Sequence, residues 1–353
     1  MTIAHPGEVC EHWDRACWQL YEGSAEAVFH LGKPDQAVWL LEKAVRYGEA
    51  LGPQNPLSAG TLNRLGVALC HRGEYVRAER ILERSLAILE NALTPGHPDL
   101  APVLFNLAGV YRQHGNYADA ERLYLRAQAI LAVVQGPEHP DVALCYGNLG
   151  EIYTRQARAI EALYALQHAL RLQVKALGPG HWHVAVTLDR LAGFYVGQER
   201  YNEAEPLLWR SLDIKERLAG PSDLAVADAL GRLVELYRSQ RKYAAARLLC
   251  RRALSILEKV RGPQHLDVVR CLHTLGQVCH AVGEFTSAEP LLRRALVLME
   301  KSFGWRHRET ERVRRDYAAV LRTLHRVGEA LSHEARLSDI PPLSLPLPQP
   351  VGL

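Results

Sequence analysis

Residues 136–177 read GPEHPDVALCYGNLGEIYTRQARAIEALYALQHALRLQVKAL. Tyr146, Leu149 and Tyr153 fall at i, i+3 and i+7, which gives one apolar stripe on a helix. Gln156, Ala157 and Arg158 interrupt it. A second stripe follows through Ala162, Leu166, Ala169 and Leu170. The segment therefore reads as two helices joined by a tight turn. Sister segments punctuate the turn with glycine, at Gly73-Glu74-Tyr75, Gly115-Asn116-Tyr117 and Gly283-Glu284-Phe285, as a helix C-cap requires.

Working outward, Ala162 belongs to a column: Ala37, Ala78, Ala120, Ala162, Ala204, Ala246, Ala288 and Ala330, spaced by 41 and then six times by 42. Seven residues after the first seven of these stands another small residue: Ala44, Ser85, Ala127, Ala169, Ser211, Ala253 and Ala295. Twelve before each stands a third small or short one, from Ala25 and Gly66 to Gly276 and Ala318. Small residues at fixed places predict close helix crossings, where a larger side chain would force the backbones apart. The 353 residues hold eight such units of 42 with 17 left over. A fixed long period is the mark of a stacked array, in which neighbouring units supply the core that none can bury alone.

Between units the chain reads Gly96-His97-Pro98-Asp99, Gly136-Pro137-Glu138-His139-Pro140-Asp141, Gly178-Pro179-Gly180-His181 and Gly262-Pro263-Gln264-His265. Gly-Pro stops the second helix, and Asp99, Asp141 and Asp267 are placed to cap the next first helix. The loop histidines His97, His139, His181, His265 and His307 sit one per unit, about 10 Å apart. That is too far to share an ion, so they are expected to fix the loops by hydrogen bonding.

The composition agrees with a folded helical protein: 48% hydrophobic, 23% charged and only 7% aromatic. Mean hydropathy is −0.14, and no apolar run approaches the ~18 residues of a membrane span. Met1 to Trp13 lacks the apolar core of a secretory leader. Seven widely spaced cysteines do not suggest a disulfide framework and point to a reducing, cytoplasmic setting. A net charge of +3 is too small to argue for nucleic acid. Lys301 to Leu337 carries nine Lys or Arg against five Asp or Glu. That keeps an RNA- or DNA-binding solenoid as an alternative, although no regular aromatic row accompanies it.

The pattern Leu-x-x-Leu-Gly-x-x-Tyr, then Ala, then Ala seven later, resembles the tetratricopeptide repeat. With Gly-Pro-x-His-Pro-Asp-Val, Asn-Leu-Ala/Gly-x-x-Tyr and Tyr-x-x-Ala-Glu-x-Leu it is similar to the repeat of kinesin light chains. The resemblance implies an all-α, right-handed superhelical solenoid of about eight antiparallel helix pairs over residues 14–337, the first and last being atypical caps. A short segment, 1–13, precedes it, and a Pro/Leu-rich tail, 338–353, follows, read as extended. Kinesin light chains carry a heptad coiled coil ahead of their repeats. Residues 1–13 hold no heptad, so a cargo-adaptor role without direct motor binding is one expectation.

The resemblance also implies that the first helices line a concave groove. One register position there gives Arg64, Asn106, Asn148, Arg190, Arg232, Thr274 and Asp316. In similar proteins an Asn at this place holds the backbone of an extended peptide, a role that Asn106 and Asn148 match. Arg112, Arg155 and Arg238 lie about two turns later, offset by Glu151 and Glu235. Guanidinium forks suit carboxylates, so an acidic or C-terminal-carboxylate segment is the expected ligand. The candidate site is thus Arg64, Asn106, Arg112, Asn148, Arg155, Arg190, Arg232 and Arg238. Self-association through the end repeats is a further expectation.

Nucleotide-loop, nucleophile-elbow and zinc-helix motifs are absent, so neither catalysis nor a cofactor is expected. Cys271, His273, Cys279 and His280 share one first helix, and core packing is weighed there above a metal or redox role. Trp182 and Trp305 are read as packing between units rather than ligand anchors.

Overall fold

A computed structural model describes the backbone of residues 6–50, 52 and 55–338, and the side chains of 14–29, 31–50, 52 and 55–335. Apart from Ser338, the expected extended tail lies outside these residues. The chain divides into two compact units, Met1–Phe194 and Tyr195–Leu353. In the first unit the helix pairs are α1 (Pro6–His30) with α2 (Pro34–Ala50), α3 (Pro56–His71) with α4 (Tyr75–Ala92), α5 (Leu100–Gln113) with α6 (Tyr117–Val134), and α7 (Pro140–Arg155) with α8 (Ala159–Leu177). The division falls within α9 (Trp182–Gly197), which α10 (Tyr201–Ala219) follows. The second unit continues with α11 (Leu224–Ser239) and α12 (Tyr243–Arg261), α13 (Leu266–Val282) and α14 (Phe285–Phe303), and α15 (Arg308–Thr323) and α16 (Val327–Ser338). The described residues form no strand, and the all-α array of tandem helix pairs is as expected.

The alanine column is the inner seam. All eight of its members are 0% exposed, and so are Ala44, Ser85, Ala127, Ala169, Ser211 and Ala295 of the second column. The third column explains why small residues recur. A Cβ built on Gly66 would lie 2.5 Å from Cγ of Leu82, and one on Gly150 would lie 2.6 Å from Cγ of Leu166. Gly276 repeats this against Leu292 at 2.6 Å. The leucine of the second helix seats directly on the backbone of the first. Such contact leaves no room for even a methyl group.

Turns inside the pairs need a left-handed residue. Gly73, Gly115 and Gly283 supply it at φ +80°, +78° and +88°. Gly32 does the same in the first pair at φ +70°, and in the remaining four pairs the corner is taken by Ala157, Glu199, Arg241 and His325, all with φ between +57° and +59°. These side chains carry a steric cost that glycine avoids.

Between the pairs, the histidines do what the spacing predicts. Nδ1 of His97, His139, His181, His265 and His307 accepts the backbone N–H two residues on, at 3.2–3.3 Å. This corrects the expected aspartate caps. His139 and His265 are themselves the N-caps of α7 and α13, while Asp141 and Asp267 stand in the first helical turn. Asp99 caps α5 without a side-chain bond. Aspartate takes the histidine's place at α11, where Asp223 accepts from Ala225 at 2.8 Å. The substitution works because both side chains put an acceptor two bonds beyond Cβ or nearer, within reach of the free N–H groups.

The last pair, expected to be an atypical cap, buries an arginine in its core. Arg314 stands in the column of Leu230 and Leu272, and it is 0% exposed. Its guanidinium donates to Glu300 at 2.7 Å and to the carbonyl of Trp305 at 3.1 Å. It is a buried strut between α14 and α15. Trp305, 41% exposed, is covered on one face by Arg306 at 4.5 Å. Trp182 opens α9 and is 37% exposed.

Candidate functional site

First helices lie side by side within each unit, and the 42-residue register brings matching positions together. Hydrogen bonds therefore run from one first helix to the next at separations of 38–43 residues. In the first unit Trp18 Nε1 donates to Thr61 at 2.8 Å, and Asn106 Nδ2 donates to Asn63 Oδ1 at 2.9 Å. Arg190 donates to Asn148 Oδ1 at 2.9 Å, while Asn148 Nδ2 donates to the carbonyl of Leu144 at 3.0 Å. Glu151 sits between two arginines, at 2.7 Å from Arg112 and 3.2 Å from Arg190. Gly147 makes room for this group, since a Cβ there would lie 3.1 Å from a guanidinium nitrogen of Arg190.

In the second unit the same ladder joins Arg238 to Gln277 at 3.0 Å. Asp316 then receives Gln277 at 2.7 Å and faces His273 Nε2 at 2.6 Å. Burial pushes the Asp316 carboxyl up, but the hydrogen bonds from His273 and Gln277 outweigh it and hold it below the usual carboxylate range.

Five of the six predicted groove arginines are thus paired. Arg64 meets Glu26 at 3.2 Å, Arg112 and Arg190 share Glu151, Arg232 meets Asp228 at 3.2 Å, and Arg238 meets Glu235 at 3.0 Å. Arg155 is exposed and makes no ion pair with the other described residues. The face is arginine-rich by composition and largely neutralised by geometry.

Three predicted residues do meet in one place. Asn106, Arg112 and Asn148 line a cleft of about 390 Å³ on α3, α5 and α7 of the first unit. Val67, His71, Phe105, Gly109 and Tyr124 complete much of its wall. Phe105 and Tyr124 pack edge to face with ring centres 5.2 Å apart. Burial pushes the Tyr124 hydroxyl up to about 12, so it stays protonated and available as a donor at neutral pH. Val67 also borders a neighbouring cleft of about 230 Å³ that contains Arg64, Asn63 and Phe29. Arg155, Arg190, Arg232 and Arg238 line neither cleft.

The aromatic wall escaped the sequence reading, although a signal was present. Tyr124 occupies the column of Leu82 and Leu166, so it is an aromatic where the repeat wants leucine. Phe105 shares its column with Asn63 and Gly147. Departures from the register mark this unit as different.

A family model for the tetratricopeptide repeat matches residues 14–91, 57–132, 99–173, 183–258 and 226–301. The chain belongs to the tetratricopeptide repeat family. No curated protein matches this tetratricopeptide repeat chain. Among solved structures it is similar to BtubC from P. vanneervenii at 24% identity and a TM-score of 0.55, over 67% of this chain and 92% of that one. It is also similar to a putative kinesin light chain with nearly identical repeats from Podospora anserina, at 23% identity and 0.52, over 58% and 97%. A third is a STAND signal-transduction ATPase with a tetratricopeptide repeat sensor from Pyrococcus horikoshii, at 14% and 0.68. That match covers 92% of this chain and 47% of the ATPase. At these identities the likeness is one of fold, and the kinesin light chain resemblance holds at that level.

The Cys271–His280 cluster separates into different environments. Cys279 is 0% exposed in the core, His273 turns to Asp316, and His280 packs on Phe285 at 5.4 Å. Among the described residues no group of three His, Cys, Asp or Glu is placed to hold a metal ion. Among them, too, no helix is long and apolar enough to cross a membrane.

Proposed function

We propose that this tetratricopeptide repeat protein is a non-enzymatic adaptor that binds an extended segment of a partner protein across the first helices of its first unit. One observation carries the reading. Asn106 and Asn148, one repeat apart, meet Phe105 and Tyr124 in a single open cleft. Such a site pairs the Asn106 amide, which can hold a peptide backbone, with an apolar recess for one side chain, while Asn148, already bonded to Leu144 and Arg190, forms the wall. The partly free amide matters here: among the described residues Asn106 Oδ1 takes no hydrogen bond, and its Nδ2 makes one, to Asn63. The ligand's charge is set more weakly than composition suggests, because Glu151 already balances Arg112 and Arg190.

The test begins with peptides selected from a random displayed library on the full chain. Their affinity is then measured by calorimetry for the native protein and for Gly109→Leu. A Cβ on Gly109 meets only the Tyr124 hydroxyl, at 3.5 Å, so the helix accepts a side chain that fills the cleft. We expect at least a tenfold loss of affinity with unchanged circular dichroism. Selected peptides that bind the variant as tightly as the native chain place the site elsewhere.

A further inference from the structure

Cys250 lies on α12 and Cys271 on α13, the helices that join two successive pairs of the second unit. Their sulfurs are 3.8 Å apart. Each thiol also points at the other's backbone: Cys250 Sγ is 3.7 Å from the carbonyl of Cys271, and Cys271 Sγ is 3.6 Å from that of Cys250. The backbones of α12 and α13 therefore lie close together around the sulfurs. A disulfide needs them at about 2.05 Å, a gap that small side-chain rotations can close when the backbones are already near. Both cysteines are free, Cys250 is 2% exposed, and Cys271 is partly open to solvent.

We propose that Cys250 and Cys271 are a redox modification site, closed to a disulfide by a small peroxide. The exposures set the order of events. The Cys271 thiolate attacks one oxygen of hydrogen peroxide, the O–O bond breaks, and the second oxygen leaves as hydroxide, which takes a proton to become water. Cys271 is now a sulfenic acid. Cys250 then gives up its proton and attacks Cys271 Sγ, forming the S–S bond and expelling hydroxide, which leaves as a second water. Two thiols are oxidised and one peroxide is reduced to two waters. The hydrogen bond with Cys271 and burial push the Cys250 thiol far up, which leaves the first attack to Cys271. The product ties α12 to α13 and fixes the junction between two repeats covalently.

The native full chain, fully reduced, is exposed to hydrogen peroxide, quenched with catalase, blocked with N-ethylmaleimide and digested for mass spectrometry. Fragmentation distinguishes Cys271 from Cys279, which share a tryptic peptide. The expected product is a Cys250–Cys271 cross-link, lost in Cys250→Ser and in Cys271→Ser and kept in Cys279→Ser. In Cys250→Ser the sulfenic acid of Cys271 persists and is trapped by dimedone. The oxidised native chain unfolds at a higher denaturant concentration than the reduced one, and dithiothreitol reverses the shift. Recovery of Cys250 as its maleimide adduct while Cys271 proceeds to sulfinic acid overturns the proposal. So does a cross-link that appears only in denaturant, or one made by Cys279 instead.

Discussion

Single residues set the tolerances of this array. At Gly150 the missing side chain is a structural part, because Leu166 occupies the place of a Cβ and the backbone nitrogen of Leu166 lies only 3.2 Å from it. Gly150→Ala should therefore cost about 1–3 kcal/mol through overpacking. Gly60, exposed on α3 with nothing within 4 Å of a Cβ, is the control. Gly60→Ala should gain up to about 1 kcal/mol from helix propensity. Chemical denaturation of both variants checks the pair. A neutral Gly150→Ala contradicts the seating of leucine on backbone. This column was legible from the sequence because small residues repeat at one spacing. The corners at Ala157, Glu199 and Arg241 were harder to read, since a left-handed conformation leaves no trace in a non-glycine residue.

At the scale of elements, first-helix caps are the device the sequence half disclosed. The spacing marked the loop histidines as hydrogen-bonding residues, yet chemistry learned from other helices assigned the caps to aspartate. The histidine itself sets the cap: His139 caps α7, where Pro140 takes the first helical position, and His265 caps α13, where Leu266 takes it, leaving Asp141 and Asp267 in the first turn to interact with the helix dipole. His139→Ala should cost about 1 kcal/mol, and His139→Asp should restore most of it, as Asp223 does natively at α11. Thermal unfolding of the two variants distinguishes the cap from mere packing. Equal losses in both would contradict the assignment.

Across the whole molecule, each unit repeats one construction and then departs from it. The repeats were readable because their residues satisfy one another: a leucine finds a glycine, an arginine finds a glutamate one repeat on. The same self-satisfaction hid the site. Asn148 is 7% exposed and bonded to its own helix and to Arg190, so a column of polar residues on first helices is not in itself a row of ligand contacts. What sets α5 and α6 apart is Tyr124 in a leucine column and Phe105 beside Asn106. The cleft they open belongs to Met1–Phe194, whereas the cysteine pair belongs to Tyr195–Leu353. The proposed ligand site and the proposed thiol site thus fall in different units. The most direct measurement is hydrogen exchange of the full chain with and without a library-selected peptide. Protection should centre on residues 67–71, 105–113 and 148 of the first helices, with α4 and α6 changed only where Tyr75 and Tyr124 border the cleft. Protection confined to the outer faces of the second helices would contradict the account.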